Sequence, residues 1–143
     1  MHLSVAALVL AFACTAAVAN ESAVTSELSI HAIGFKHTHG HAVAKLFSPG
    51  DSVLGRGRWE AKAVIADGMA LFRFTDLPAG RYAAVVFHDD NDNGVIDHGL
   101  LGPSEPIGFS ERFVLSVFSG RPTFQDLSFT FTPPSQTLDV RVR

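Results

Sequence analysis

Side chains able to bind a cation are concentrated in residues 89–97, which read Asp-Asp-Asn-Asp-Asn-Gly-Val-Ile-Asp. They follow directly on the apolar run at residues 82–87, which is typical of a strand. Calcium binds several oxygen ligands, and a sharply turned loop rich in Asp and Asn can supply them. The composition of this segment therefore predicts a calcium-binding loop.

The spacing within the segment fits the twelve-position calcium loop. Gly94 takes the sixth position, where the chain must turn tightly. The predicted ligands are the side chains at positions one, three, five and nine and the backbone carbonyl at position seven: Asp89, Asn91, Asn93, Asp97 and Val95. Position twelve, usually a bidentate Glu, is Leu100. Glu105 is the candidate for the missing carboxylate, with Asp90 or Asp92 as substitutes.

Without the bidentate ligand, calcium should bind weakly, at about 10⁻⁴ to 10⁻³ M, as in extracellular calcium modules. A second interpretation of the loop needs no ion. Asn93-Gly94 favours a type I′ turn, and Asn and Asp side chains can hydrogen-bond their own backbone. Oxygen-bearing side chains this close together repel one another unless a cation is present, which favours calcium.

A second group of candidate metal ligands alternates along the chain: His37, His39 and His41. Imidazole suits zinc, copper and nickel, so this group gives an alternative function, that of a periplasmic transition-metal binding protein. Alternate residues share a face only while the chain is extended, and Gly40 favours a turn between them. A solvent-exposed hairpin tip is therefore the preferred interpretation of this segment.

No catalytic pattern is recognisable in the sequence. Ser104 and Ser110 lie near Glu105 and His98, but no nucleophile, base and orienting group stand in a known arrangement. His88 and His98 flank the acidic loop and are expected to orient it rather than to bind metal. We therefore predict a protein that is not an enzyme.

The chain has 143 residues, which is enough for one domain. Residues 1–19 are expected to be a signal peptide, because an apolar stretch ends in Ala17-Val18-Ala19, a small-x-small cleavage signal. Cleavage would remove Cys14 and leave no cysteine for a disulfide, a thiolate metal site or a nucleophile. We predict a secreted or periplasmic protein with a polar leader at 20–26 and one domain at 27–143.

The charge of the chain limits its partners. A formal net charge of −3 without a basic run excludes nucleic acid, and the mature chain is expected to have no membrane span. The expected partner is an unknown extracytoplasmic protein or glycan, bound by a monomer. Phe109 and the apolar residues 113–118 could form an exposed patch, but most of them are expected to complete the core.

Short alternations of apolar and polar residues run through the mature chain. They predict strands at residues 28–32, 41–47, 59–66, 70–74, 81–87, 124–131 and 138–142. Residues 88–108 show no regular pattern, residues 113–118 fit either a short strand or two helical turns, and Asp67-Gly68 signals a hairpin turn. Strands at this spacing predict an all-β fold, a single antiparallel β-sandwich. Tyr82 should tuck into its core after a corner and bond nearby backbone through its hydroxyl.

Several motifs follow one another along the chain: Leu77-Pro78-x-Gly80-x-Tyr82-Ala83, His88-Asp89-x-Asn91-x-Asn93-Gly94-x-x-Asp97, Gly102-x-x-x-Glu105, Gly108-Phe109-Ser110 and Pro122-x-Phe124. In these motifs the chain resembles the secreted bacterial proteins grouped as domain of unknown function 2141, from about residue 26 to its end. The Leu-Pro-x-Gly-x-Tyr corner is also similar to those of prealbumin-like modules such as carboxypeptidase regulatory domains. The resemblance implies a prealbumin-like β-sandwich and no particular activity.

Overall fold

A computed structural model describes residues 25–100, 102–116 and 119–143, so the predicted signal peptide and most of the leader lie outside it. Within these residues the strands are β1 Glu27–Ile33, β2 His41–Phe47, β3 Trp59–Ala63, β4 Met69–Thr75, β5 Gly80–Asp89, β6 His98–Gly99, β7 Gly102–Pro103, β8 Ile107–Phe109, β9 Ser128–Phe131 and β10 Ser135–Arg141. The helical elements are a 3₁₀ turn, Ser110–Arg112, and a single helical turn, α1 Phe124–Leu127. No helix in this part of the chain has the length and apolar character needed to span a membrane. The predicted β-rich fold is confirmed.

Most of the strands belong to two larger sheets. Among the described residues, the first sheet has the order β10-β1-β4, and the second has the order β3-β2-β5-β8, with β9 also paired to β5. The short strands β6 and β7 form a ribbon of their own. The prediction of a wholly antiparallel sandwich is wrong at one pair, because β1 and β10 are parallel. The chain reaches β10 from β9 in the other sheet rather than through a tight hairpin, so antiparallel pairing is not imposed there.

The two larger sheets share one hydrophobic core, as in a β-sandwich. Its buried residues occupy alternate positions of the facing strands: Leu28, Ile30 and Ala32 on β1, Phe72 and Phe74 on β4, Ala42, Ala44 and Leu46 on β2, and Ala84 and Val86 on β5. Successive side chains of a strand point to opposite faces, so this pattern is the one that the alternation in the sequence predicted. We call this group the shared core.

In the second sheet, the strands β2, β5 and β8 are buried on both faces. A further cluster covers its outer face and includes Val43, Phe47, Val85, Phe87, Phe109 and Leu127. The central strand β5 therefore carries an unbroken apolar run instead of an alternation. Phe113 and Leu115 pack partly buried against this outer cluster, whereas Val114 is exposed. The expectation that the apolar residues after β8 join the core is thus met by Phe113 and Leu115.

The turn predicted to close a hairpin carries the chain between sheets instead. Residues 67–68 do turn tightly, and Ala66 and Met69 exchange two backbone hydrogen bonds of 2.9 Å. The strands on either side, β3 and β4, nevertheless belong to different sheets. The same is true of residues 34–40, which join β1 to β2. A local turn signal fixes the chain reversal, but the packing of each apolar face decides which strand becomes the neighbour.

Two further segments differ from their predictions. The predicted strand at 124–131 begins as α1 because Thr123 and Asp126 form a capping box, in which the Asp126 N–H donates to Thr123 Oγ1 at 3.4 Å and the Thr123 N–H to Asp126 Oδ2 at 2.8 Å. Residues 88–108, predicted to be irregular, contain β6, β7 and β8, whose two or three residues are too few to show a period.

A third segment, residues 113–118, was predicted to be either a short strand or two helical turns. Over its described residues, 113–116, it is neither.

Tyr82 occupies the corner as predicted. Its buried ring packs edge-on against Trp59 and Phe131, and its hydroxyl donates a hydrogen bond of 2.9 Å to the carbonyl of Pro78. Burial raises the pKa of the Tyr82 phenol, so the folded protein favours its neutral form. This corner fixes the start of β5, the strand whose other end reaches the acidic loop.

Ser110 closes a gap in the second sheet. Along one edge, β5 pairs with β9 over residues 80–83 and with β8 over residues 85–87, so Ala84 lies between two partner strands. The fully buried Ser110 hydroxyl accepts the Ala84 N–H at 3.0 Å and donates to the carbonyl of Leu127. The hydroxyl is committed to the backbone, which gives Ser110 a structural role.

We expect Ser110→Ala to lower the free energy of unfolding by about 2 kcal/mol, because two buried backbone groups would lose their partner. In a domain of this size the melting temperature should fall by roughly 5–10 °C, measured by circular dichroism. Ser104→Ala, at an exposed position, is the control and should melt like the unaltered protein. Equal melting of both variants would show that the bridge contributes nothing to stability.

Candidate metal sites

The end of β5 supplies side chains to both faces of the second sheet. His88 continues the row of Ala84 and Val86 in the shared core, and Asp89 continues the row of Phe87 in the outer cluster. Both side chains are fully buried. Two adjacent polar residues of one strand therefore begin two separate candidate sites.

The buried carboxylate of Asp89 stabilises the turn of the acidic loop through hydrogen bonds from backbone N–H groups. Its Oδ1 accepts the backbone N–H of Asn93 at 3.0 Å, and its Oδ2 accepts that of Gly94 at 2.8 Å. Gly94 has φ +78°, a left-handed conformation that suits the tight turn expected at the sixth position. Lys62 Nζ lies 4.0 Å from Asp89 Oδ2. The first and sixth positions of the predicted loop are thus tied together.

The remaining predicted side-chain ligands meet at Asp97. One Asp97 carboxylate oxygen accepts the Asn91 Nδ2–H at 2.7 Å, and the other accepts the Asn93 Nδ2–H at 2.9 Å. The amide oxygens accept backbone N–H groups, Asn91 Oδ1 from Asn93 at 3.1 Å and Asn93 Oδ1 from Val95 at 2.9 Å. The structure therefore brings the predicted side-chain ligands of the loop into one hydrogen-bonded cluster.

Glu105 lies against this loop. Its carboxylate is mostly buried, with Oε1 accepting the Asp90 N–H at 3.1 Å and Oε2 accepting the Asp97 N–H at 3.1 Å. The Ser104 N–H also donates to the carbonyl of Asp97 at 2.8 Å. Leu100, at the twelfth position, is exposed to solvent. Glu105 thus clamps both ends of the loop through backbone N–H groups.

The alternating histidines do not converge on one point. His41 Nδ1 lies 2.5 Å from Asp92 Oδ1, whereas His37 Nδ1 lies 3.6 Å from Asp90 Oδ1. Gly40, with φ +62°, turns the chain between them, as the sequence indicated. Residues 36–39 are exposed, which agrees with the preferred interpretation of a solvent-exposed tip.

His37 meets His88 and Asp90 instead. The ligand atoms of these three residues lie within 4.8 Å of one another, and no other group of three His, Cys, Asp or Glu residues does so in the described part of the chain. The ring centroids of His37 and His88 are 4.5 Å apart. We call these three residues the histidine cluster.

Gly40 allows this cluster to form. A Cβ atom added at Gly40 would lie 2.0 Å from the carbonyl oxygen of Asp89 and 2.8 Å from the Cα of Asp90. These separations are shorter than any real Cβ contact, so only glycine lets the histidine segment pack on the end of β5.

Sequence reasoning missed the histidine cluster and gave His88 only an orienting role. Its members come from two distant segments, a crossover between sheets and the end of β5, so no local spacing connects them. One signal was present, because His88 and Asp90 are two residues apart at the end of a strand and can share a face.

A comparison with protein-family models agrees with the motifs of the chain. The model described as "Uncharacterized protein conserved in bacteria (DUF2141)" matches residues 30–139, which include both the acidic loop and the histidine cluster. Neither the curated proteins nor the solved structures contain a match to the chain. The matched range covers most of the sequence, so the chain belongs to the DUF2141 family of uncharacterized bacterial proteins.

Proposed function

We propose that this protein is a secreted or periplasmic, non-catalytic β-sandwich module of prealbumin-like type, whose acidic loop binds calcium. The ion orders the segment between β5 and β8, and the ordered surface meets an extracytoplasmic protein or glycan. The observation that carries the proposal is the hydrogen-bonded cluster in which Asp89, Asn91, Asn93 and Asp97 meet.

The acceptor oxygens of the loop retain capacity for a cation. A carbonyl oxygen has two lone pairs, and Asn91 Oδ1 and Asn93 Oδ1 each accept one backbone N–H. Calcium would compete with the two amide donors that now bond to Asp97. The bonds from Asn93 and Gly94 to Asp89 already impose the turn, so less chain entropy has to be lost when the ion binds.

The charge distribution also supports a cation. Among the described residues, His37, His41 and Lys62 lie within 4.0 Å of loop carboxylates, whereas Asp97 and Glu105 have no basic side chain that close. A cation would offset the repulsion between these carboxylates. Because Glu105 is engaged by two backbone N–H groups and position twelve is Leu100, the affinity should stay in the weak range of extracellular modules.

Calcium should stabilise the protein measurably. At about 2 mM calcium and a dissociation constant of about 0.1 mM, the free energy of unfolding should rise by roughly 1.8 kcal/mol. The melting temperature should then be several degrees higher in calcium than in chelator. Magnesium should raise it less, because it requires stricter octahedral geometry and gives up water reluctantly.

Asp97→Asn is the variant for this test, because it removes one charge and retains an acceptor for the Asn side chains. It should abolish most of the calcium-dependent gain. Asp139→Asn is the matched control, since Asp139 is an exposed carboxylate on the first sheet, near His31 and outside the acidic loop. Identical melts of the unaltered protein in calcium and in chelator would contradict the proposal and leave a polar turn that needs no ion.

The alternative function, transition-metal binding through His37, His39 and His41, is not proposed with that set of ligands. His41 is paired with Asp92, and His37 faces the other way, toward Asp90 and His88. Any transition-metal site in this region must therefore use a different set of ligands.

A further inference from the structure

We propose that His37, His88 and Asp90 form a binding site for a divalent transition-metal ion, with zinc as the first candidate. This site goes beyond the calcium loop, because two of its three ligands are imidazoles and His88 lies on the opposite face of β5 from Asp89. Asp90 is the one residue that it shares with the acidic loop. Three features support it: an unpartnered buried nitrogen, the fixed orientation of its ring, and two accessible ligands beside it.

The buried nitrogen is His88 Nδ1. The side chain of His88 is fully buried, and Nδ1 is the one buried side-chain nitrogen or oxygen without a hydrogen-bond partner in the described ranges. Buried polar atoms are rarely left unsatisfied in proteins, and a bound ion is one recognised explanation. The ligand atoms of His37 and Asp90 lie within 4.8 Å of a ring nitrogen of His88, and Nδ1 is the nitrogen of that ring without a hydrogen-bond partner.

The other ring nitrogen of His88, Nε2, determines which nitrogen carries the proton. His88 Nε2 lies 2.7 Å from the carbonyl oxygen of His39, and a carbonyl oxygen can only accept a hydrogen bond. Nε2 therefore carries the proton, and in the neutral ring Nδ1 presents a lone pair. Metal-binding histidines are commonly held in this way, with one ring nitrogen donating to a backbone carbonyl and the other binding the ion. Phe35 packs edge-on against the ring, at 5.6 Å between centroids, and restricts its rotation.

The two other ligands stand on the solvent side. His37 Nδ1 and Asp90 Oδ1 are 3.6 Å apart, and their side chains are 45% and 53% exposed. Ligand atoms around a tetrahedral zinc ion are separated by roughly 3.3 Å, given zinc–ligand distances of about 2.0 Å. The spacing of His37 and Asp90 is therefore close to what zinc needs, and the third ligand atom, on His88, lies within 4.8 Å of both. The exposed side gives the ion an entry path.

The ligand types select the class of metal. Two imidazoles and one carboxylate suit zinc, copper or nickel, whereas calcium requires oxygen ligands. Three protein ligands leave a fourth position of a tetrahedral ion open to water or to a group on a partner. The cluster can therefore bind a metal independently of the acidic loop, although Asp90 follows directly on Asp89.

Calorimetric titration of the purified protein with zinc chloride, in the presence of about 2 mM calcium chloride, tests this site. We expect one zinc ion per chain. His37→Gln and Asp90→Asn should each weaken zinc binding by at least about tenfold, because each removes one of three ligands. His31→Gln and His41→Gln are matched controls at accessible histidines outside the cluster and should bind zinc like the unaltered protein. Titration with copper(II) should show the same dependence and tighter binding, following the usual order of divalent ions.

Because His88 is buried, a substitution there can prevent folding, so a nitrogen resonance measurement replaces it. With ¹⁵N-labelled histidine, zinc should shift the Nδ1 resonance of His88, while Nε2 keeps its proton. The absence of zinc binding, or binding that His37→Gln and Asp90→Asn leave unchanged, would overturn the site. Equal loss in His41→Gln would place the metal on the alternating histidines. Asp97→Asn should still bind zinc, which separates this test from that of the calcium loop.

Discussion

Gly40→Ala is expected to lower the melting temperature by about 10 °C or more, corresponding to roughly 3 kcal/mol of unfolding free energy. Two effects add at this position. A non-glycine residue at φ +62° is strained, and its Cβ would lie 2.0 Å from the carbonyl oxygen of Asp89. The backbone of either the histidine crossover or β5 must then move. Thermal unfolding followed by circular dichroism measures the change.

Gly120→Ala separates the two effects. Gly120 has a similar φ of +69°, but within the described part of the chain no heavy atom beyond its two chain neighbours lies within 4 Å of where its Cβ would be. In this control variant the free energy of unfolding should therefore fall only by the cost of the left-handed conformation, about 1 kcal/mol. If both variants had the same melting temperature, the close packing at Gly40 would contribute nothing to stability. Gly40→Ala should also weaken zinc binding, because it displaces His37 from Asp90.

Asp89→Ala is expected to cost about 3–5 kcal/mol even when calcium is absent. The fully buried carboxylate of Asp89 accepts the backbone N–H groups of Asn93 and Gly94. Its removal would leave the Gly94 N–H without its partner and the Asn93 N–H with Asn91 Oδ1 alone. Hydrogen bonds to a charged acceptor are stronger than neutral ones, and each buried group left unpaired adds a further penalty. Urea unfolding in chelator measures the loss apart from any effect of calcium.

Asp92→Ala is the control for this variant, because Asp92 is an exposed carboxylate of the same loop, paired with His41. Exposed ion pairs contribute about 0–1 kcal/mol, so this change should be small. Asp89→Asn should fall between the two, since the amide keeps one acceptor oxygen and brings a donor toward the backbone N–H groups. If Asp89→Ala were as stable as Asp92→Ala in chelator, the carboxylate would have no structural role and would serve only a cation.

Local patterns in the sequence predicted the features that depend on neighbouring residues. The alternation of Leu28, Ile30 and Ala32 marked β1, because a strand with one buried face has a period of two. The spacing from Asp89 to Gly94 marked a turn in which a side chain can reach the backbone only a few residues away. The Tyr82 corner was predictable for the same reason, since its hydroxyl bonds Pro78.

The pairing of strands that are distant in the sequence was harder to predict. The turn at residues 67–68 was predicted correctly as a reversal, yet β3 and β4 entered different sheets. The parallel pairing of β1 with β10 has no local signal, because it depends on how the chain crosses between the sheets. Strands with similar apolar faces can pair in several ways, and the packing of the whole sandwich selects one of them.

The two candidate metal sites show the same division. The sequence alone determined the acidic loop, because its oxygen-bearing side chains lie within one short segment and its turn follows from Gly94 and the preceding strand. Only the tertiary structure decided that His88 meets both His37 and Asp90. That contact requires the alternation of side chains at the end of β5 and a crossover lying directly on the backbone of Asp89, which glycine at position 40 permits. The crossover and the end of β5 are about fifty positions apart in the sequence, and their contact exists only once the two sheets have packed.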